Sequence, residues 1–187
     1  MTTWTRRGCA AAVAVTVGIG LAAGVNGAVW AEDTPRARMC SLELKNLHTG
    51  EVLEVDFDRD AGPDAPALAK LQHLLRDYRV DEEHAMDPAL YGLLCDLAQA
   101  AGYPARYEVI SGYRSPRTNK KLRDTGHQVA EHSQHMEGHA IDVRLLGCDL
   151  AKFRDTALQA KRGGVGYYPE SNFVHVDTGR VRTWTAR

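Results

Sequence analysis

The sequence predicts an α+β fold, a small and mostly antiparallel sheet with flanking helices. Three observations carry that expectation. Apolar and polar residues alternate with period two in Leu42–Leu47, Val52–Phe57, His139–Leu145 and Phe173–Val176, as in half-buried strands. Apolar residues recur at helical spacing in 64–78, 88–101 and 149–160. The resulting order is hairpin, two helices, strand, strand, helix, strand, which argues for a compact α+β domain around that sheet.

The hairpin comes first. Its two alternating runs are joined by His48-Thr49-Gly50, a turn signal, and His48 reads as a turn residue. Leu68, Leu71, Leu74, Leu75 and Tyr78 then line one face of a helix that Asp64 and Pro66 are suited to start. Asp87-Pro88 opens the second helix, whose stripe is Leu90, Leu93, Leu94, Leu97 and Ala98, and Gly102 suits its end. Tyr107–Ile110 is a short strand that stops at Ser115-Pro116. Thr118–Arg123 makes about a turn and a half of helix, and 126–134, with no clean period, reads as a loop. After the strand 139–145, Leu150, Phe153, Ala157 and Leu158 mark the third long helix. Gly163, Gly164 and Gly166 read as a chain break, and Trp184 as exposed unless it docks.

Of the 187 residues, 1–31 read as an export signal: Arg6-Arg7, an Ala/Val/Gly-rich apolar run, and Val29-Trp30-Ala31 as a cleavage site. The paired arginines resemble a twin-arginine signal. Residues 32–40 read as a flexible lead-in and 41–187 as the working domain, with no membrane span left after cleavage. Taking Arg6 and Arg7 from 23 basic residues leaves 21 against 24 acidic ones, a net of −3, which argues against nucleic acid as a partner. Removing Cys9 with the signal leaves Cys40, Cys95 and Cys148. Three thiols allow one internal disulfide, whose pairing the sequence leaves open, and without a CxxC they are not a zinc cluster. Cys95, inside a helical stripe, reads as a small core residue rather than a nucleophile.

The chemistry gathers in Ser133–Leu145 and Asn172–Asp177. Alternation puts Asp142 on the face opposite Ile141, Val143 and Leu145, and His175 on the face opposite Val174 and Val176. Gly138 permits a turn that folds His135 back toward Asp142, and Ala140 leaves room there. If the two strands are neighbours, His135, Asp142 and His175 can share one divalent ion. Two imidazoles and a carboxylate with an open position form a catalytic zinc set. His135 and His139 have the i, i+4 spacing of a helical zinc motif, but Gly138 and the missing H-E-x-x-H argue against it.

S-G-Y-R-S at 111–115, S-x-H-x-x-G-x-A-x-D from Ser133 to Asp142, and F-V-H-V-D at 173–177 resemble the murein endopeptidase K family. That family lies within the zinc D-Ala-D-Ala peptidases, which share a fold with the hedgehog signalling domain. The resemblance runs from about Leu42 onward and implies an exported zinc peptidase of the periplasm or cell-wall space, acting on peptidoglycan stem peptides. It implies His135, Asp142 and His175 as zinc ligands. It places Arg114 over the cleft to hold a substrate carbonyl or carboxylate, and Tyr113 and Ser133 as further substrate contacts. Many members of the wider group carry Glu three residues before the last histidine ligand, where this chain has Asn172. Asp177 is then the first choice for general base, with orientation of a ligand histidine as its rival role; His132 and Glu170 follow. The same site would serve a D,D- or L,D-carboxypeptidase, and a non-catalytic, zinc-containing wall-binding module is the third reading.

Overall fold

The computed structural model describes residues 38–125 and 130–186. The export signal, most of the expected lead-in and His127 lie outside the described residues. Strand β1 (Met39–Asn46) turns into β2 (Val52–Asp58), and the two pair in antiparallel register from Met39↔Asp58 to Lys45↔Val52. Helices α1 (Ala65–Leu74) and α2 (Ala89–Ala101) follow, then β3 (Arg106–Ser111), α3 (Pro116–Asp124), β4 (Ala140–Leu145) and α4 (Leu150–Ala160). Three strands close the domain: β5 (Gly164–Tyr168), β6 (Phe173–Asp177) and β7 (Arg182–Thr185).

The helix starts are those the residue types favour. Asp64 accepts the Ala67 amide at 2.9 Å, Ser115 the Thr118 amide at 3.2 Å, and Asp149 the Lys152 amide at 2.9 Å. Gly102 ends α2 in the left-handed conformation with φ 83°.

The expected small, mostly antiparallel sheet is corrected. The strands form one seven-stranded mixed sheet in the order β2-β1-β3-β4-β6-β5-β7. β1 runs parallel to β3 because α1 and α2 carry the chain across between them, and β5 runs parallel to β7. The sequence reading lacked β5, whose glycines resemble a break, and β7, which is short and polar.

A second correction concerns the first helix, which stops at Leu74 rather than Tyr78. Asp77 turns its carboxylate inward to accept the Ser115 amide at 3.0 Å and hydroxyl at 2.8 Å, and Tyr78 stacks on His48. Hydrogen-bond donors for a buried carboxylate decide the outcome over one more helical turn.

One sheet face is the core. Leu42, Leu44, Tyr107, Val109, Ile141, Val143, Val174 and Val176 are buried with the α2 leucines and with Phe153 of α4. Cys40 of β1 and Cys95 of α2 form a disulfide, and Cys148 is free. Among the described residues no helix is long and apolar enough to cross a membrane.

Candidate metal centre

The centre lies on the sheet face opposite the buried leucines of α2 and Phe153 of α4, and Leu122 of α3 lines its cleft. β4 and β6 are neighbours, with Asp142 directly opposite His175. His135 reaches them from the 133–138 turn, which is closed by the Met136 amide to the Ser133 carbonyl at 2.9 Å and the His139 amide to the Gln134 carbonyl at 2.9 Å. Gly138 makes this turn possible. Its φ is +72°, and a Cβ there would lie 2.2 Å from the Ala85 carbonyl oxygen. The Asp87 amide in turn donates to the Gly138 carbonyl at 2.9 Å, fastening the turn to the lead-in of α2.

His135, Asp142 and His175 are all buried, and one ligand atom from each lies within 4.8 Å of the others. His135 Nε2 is 3.2 Å from Asp142 Oδ1 and 3.1 Å from His175 Nδ1, which is itself 2.9 Å from the same oxygen. The outer nitrogens fix what these inner atoms carry. His135 Nδ1 sits 2.7 Å from the Gly112 carbonyl, which only accepts, so the proton is there. His175 Nε2 sits 2.9 Å from the Asp177 carboxylate and carries its proton on that side. With both rings neutral and their protons on these outer nitrogens, two imidazole lone pairs and a carboxylate oxygen converge on one point. A cation at that point satisfies all three, so the donor set fits a divalent metal ion.

The two rings are polarised differently. Burial lowers the His135 pKa, with the Asp142 charge opposing. Burial works the same way on His175, but its bonds to Asp142 and Asp177 outweigh it and raise the pKa. Burial opposes ionisation of Asp142, and the two imidazoles overcome it and hold the carboxyl well below the usual range.

Arg114 stands beside the cluster, its Nη2 3.7 Å from Asp142 Oδ2. Its side chain is 11% exposed and its buried Nε has no hydrogen-bond partner. The backbone around it is pinned by the Arg114 amide to the His135 carbonyl and by Asp77 on Ser115. Arg114, Ser133 and the three cluster residues line one cleft of about 640 Å³.

A family model described as peptidoglycan L,D-endopeptidase MepK, of the M15 peptidase type, matches residues 33–184. The chain belongs to that family. The peptidoglycan L,D-endopeptidase MepK of Escherichia coli K12 is 45% identical over 151 residues, which cover 81% of this chain and 82% of the relative. The protein of that name from Shigella flexneri matches to the same extent, and a probable one from Haemophilus influenzae is 44% identical over 152 residues, 81% of each chain. Membership in the MepK family makes the chain an enzyme, a peptidase, and sets aside the reading as a non-catalytic module.

The remaining expected residues divide. Ser133 is at the cleft, and its hydroxyl accepts the His135 amide at 3.3 Å. Tyr113 is elsewhere: it is buried against the core, stacks on His84 and donates to Glu82 at 2.8 Å, so it does not line the cleft. Asp177 is fully buried behind His175. Its oxygens take the Gly164 amide at 3.0 Å, the Gly179 amide at 2.9 Å, and both Arg182 amino groups at 3.1 and 2.6 Å. Asn172 is an exposed residue of the β5–β6 turn with φ 55°.

Sequence reasoning missed Arg182, Trp184 and Tyr168. Trp184 does dock: its ring centroid lies 5.0 Å from that of His175, and it fills the notch at Gly166, where a Cβ would lie 2.5 Å from the indole. The signal was available in the period-two row Gly164, Gly166, Tyr168, a strand face of two glycines and one aromatic.

Proposed function

We propose that the protein is an exported, zinc-dependent endopeptidase that hydrolyses L,D peptide cross-links between peptidoglycan stems in the periplasm or cell-wall space. The observation that carries this reading is the convergence of three metal-facing lone pairs in a cleft that also holds a nearly buried arginine. Family membership supplies the substrate class, and the Cys40–Cys95 disulfide suits an oxidising compartment.

His135 Nε2, Asp142 Oδ1 and His175 Nδ1 would hold the ion. When bound, zinc supplies Lewis acidity, polarising a carbonyl and making water a nucleophile near neutral pH. Asp177 acts as the orienting residue rather than the base. It keeps a proton on His175 Nε2, which leaves Nδ1 free to ligate, and both its oxygens are already engaged. Arg114, whose guanidinium lies beside Asp142 in the same cleft, holds a stem carboxylate or the scissile carbonyl. Asn172 takes no proton. Two further imidazoles, His48 and His132, line the cleft, and they are the non-ligand bases present there.

Purified muropeptide dimers joined through an L,D bond provide the test. Separated stems are expected, lost with a chelator and restored by zinc, along with one zinc per chain that disappears in His175→Ala. Release of a single terminal amino acid would replace the endopeptidase with a carboxypeptidase. Absence of both turnover and metal would end the proposal.

A further inference from the structure

We propose that Tyr168 is a catalytic residue, its phenolic O–H donating a hydrogen bond to the oxyanion that forms at the scissile carbonyl. The inference rests on the peptidase reading above and adds to it a group that neither the motifs nor the family match assigns.

The argument starts from a donor count. The Trp184 indole N–H can only donate, and it points at the Tyr168 oxygen at 2.9 Å. The phenol is therefore the acceptor in that contact, and its own hydrogen is directed elsewhere. Among the described residues this hydrogen has no acceptor. Tyr168 lines the same cleft as Arg114, Asp142 and His175, so the free donor faces the space the peptide must fill.

The ring is also held in place. It stacks on Phe173 with centroids 4.3 Å apart and planes 17° apart, and Trp184, which fixes its oxygen, is seated in the Gly166 notch against His175. Donors fixed before the reaction need no reorganisation as charge develops, which is where an oxyanion site gains its effect. Burial pushes the phenol above its ordinary pKa, with Trp184 and Arg114 pulling back and Asp142 adding to the rise. The group therefore enters the reaction as a donor.

The step balances without moving this proton. Water oxygen forms one bond to the carbonyl carbon as a cleft imidazole, His48 or His132, takes its proton, and the C=O π pair moves onto the carbonyl oxygen. That oxygen is the acceptor Tyr168 faces, and when the C–N bond breaks the pair returns to restore the carbonyl while the departing nitrogen takes the proton from the imidazole. Tyr168 ends as it began. Arg114 and Tyr168 line the same cleft, so a carbonyl bound there has a donor available from each.

Tyr168→Phe keeps the ring and its stacking and removes only the O–H. Its kcat on the muropeptide dimer is expected to fall about 10²–10³-fold, with zinc content unchanged and KM within about twofold. Affinity for a phosphinate analogue of the scissile peptide should fall by the same factor as kcat/KM. Trp184→Phe, which frees the phenol without removing it, should cost about tenfold. The double variant should fall no further than Tyr168→Phe alone, because the two act as one unit. A Tyr168→Phe enzyme within about threefold of wild type in kcat overturns the inference, as do additive losses in the double variant. Should Tyr168→Phe not fold, unchanged phosphinate affinity in Trp184→Phe overturns it instead. An active wild type with an equally active Tyr168→Phe leaves the peptidase reading standing; an inactive wild type removes both.

Discussion

His135 and His175 present the same kind of atom to the same point, but the chain supports them in opposite ways. His135 sits on a turn, and its outer nitrogen faces a neutral backbone carbonyl, that of Gly112. His175 sits in a central strand, and its outer nitrogen faces a carboxylate backed by Arg182 and two backbone amides. The proposed turn ligand gains precision from backbone geometry, and its support has no side chain to remove. The strand ligand gains it from a charged chain three residues long, Arg182 to Asp177 to His175, whose members can be altered singly. A ligand on a turn depends on whether the turn forms; a ligand on a strand depends on which tautomer its partner selects.

The largest expected effect that would sharpen this contrast is on the strand side. Asp177→Asn keeps the side chain's size but removes the charge that holds the proton on His175 Nε2. Zinc affinity should drop about 10–100-fold, read by competition with a chromophoric chelator. Unchanged affinity would mean the ring is positioned by packing against Trp184 alone.

On the turn side, Gly138→Ala attacks geometry instead of charge. It places a side chain in the left-handed region and against the Ala85 carbonyl. The expected cost is about 1–3 kcal/mol of stability, measured by denaturant unfolding of the metal-free protein. A variant as stable as the parent would show that the turn can relax without Gly138.

The smallest effect concerns Asp77, which supports Arg114 between the two ligand regions. Burial opposes its ionisation, but hydrogen bonds from Thr118 and from the Ser115 hydroxyl and amide overcome this and lower its pKa below the usual carboxylate value. A depressed folded pKa contributes stability above the unfolded value, and that stability is lost as pH falls through the folded one. Asp77→Asn should therefore lower stability at pH 7 and flatten its decline below about pH 4, followed by unfolding midpoints across acid pH. An unchanged acid limb would place the titrating group elsewhere.

Much of the centre was legible because strands obey a strict alternation. Asp142 and His175 each interrupt an aliphatic row with a ligand on the opposite face, and their pairing needed only that β4 and β6 be neighbours. Gly138 signalled the turn that returns His135. The far wall was not legible. Gly164 and Gly166 read as a break because a glycine looks alike whether it ends a strand or lets a neighbour approach closely, and only Trp184 in its notch distinguishes the two. Asp177 shared a face with His175 in the sequence, but the alternation does not say which ring nitrogen a residue two positions on will meet. The cysteine pairing depended on α2 lying over β1, a tertiary fact that local pattern does not hold.

The Cys40–Cys95 bridge closes a loop across a separation of 55 residues between β1 and α2. Closing a loop of that size removes enough freedom from the unfolded chain to be worth about 4 kcal/mol on the chain-entropy account. Among the described residues no cysteine lines the cleft that holds His135, Asp142 and His175. Thiol chemistry in the surroundings thus bears on how long the molecule endures rather than on the bond-breaking itself.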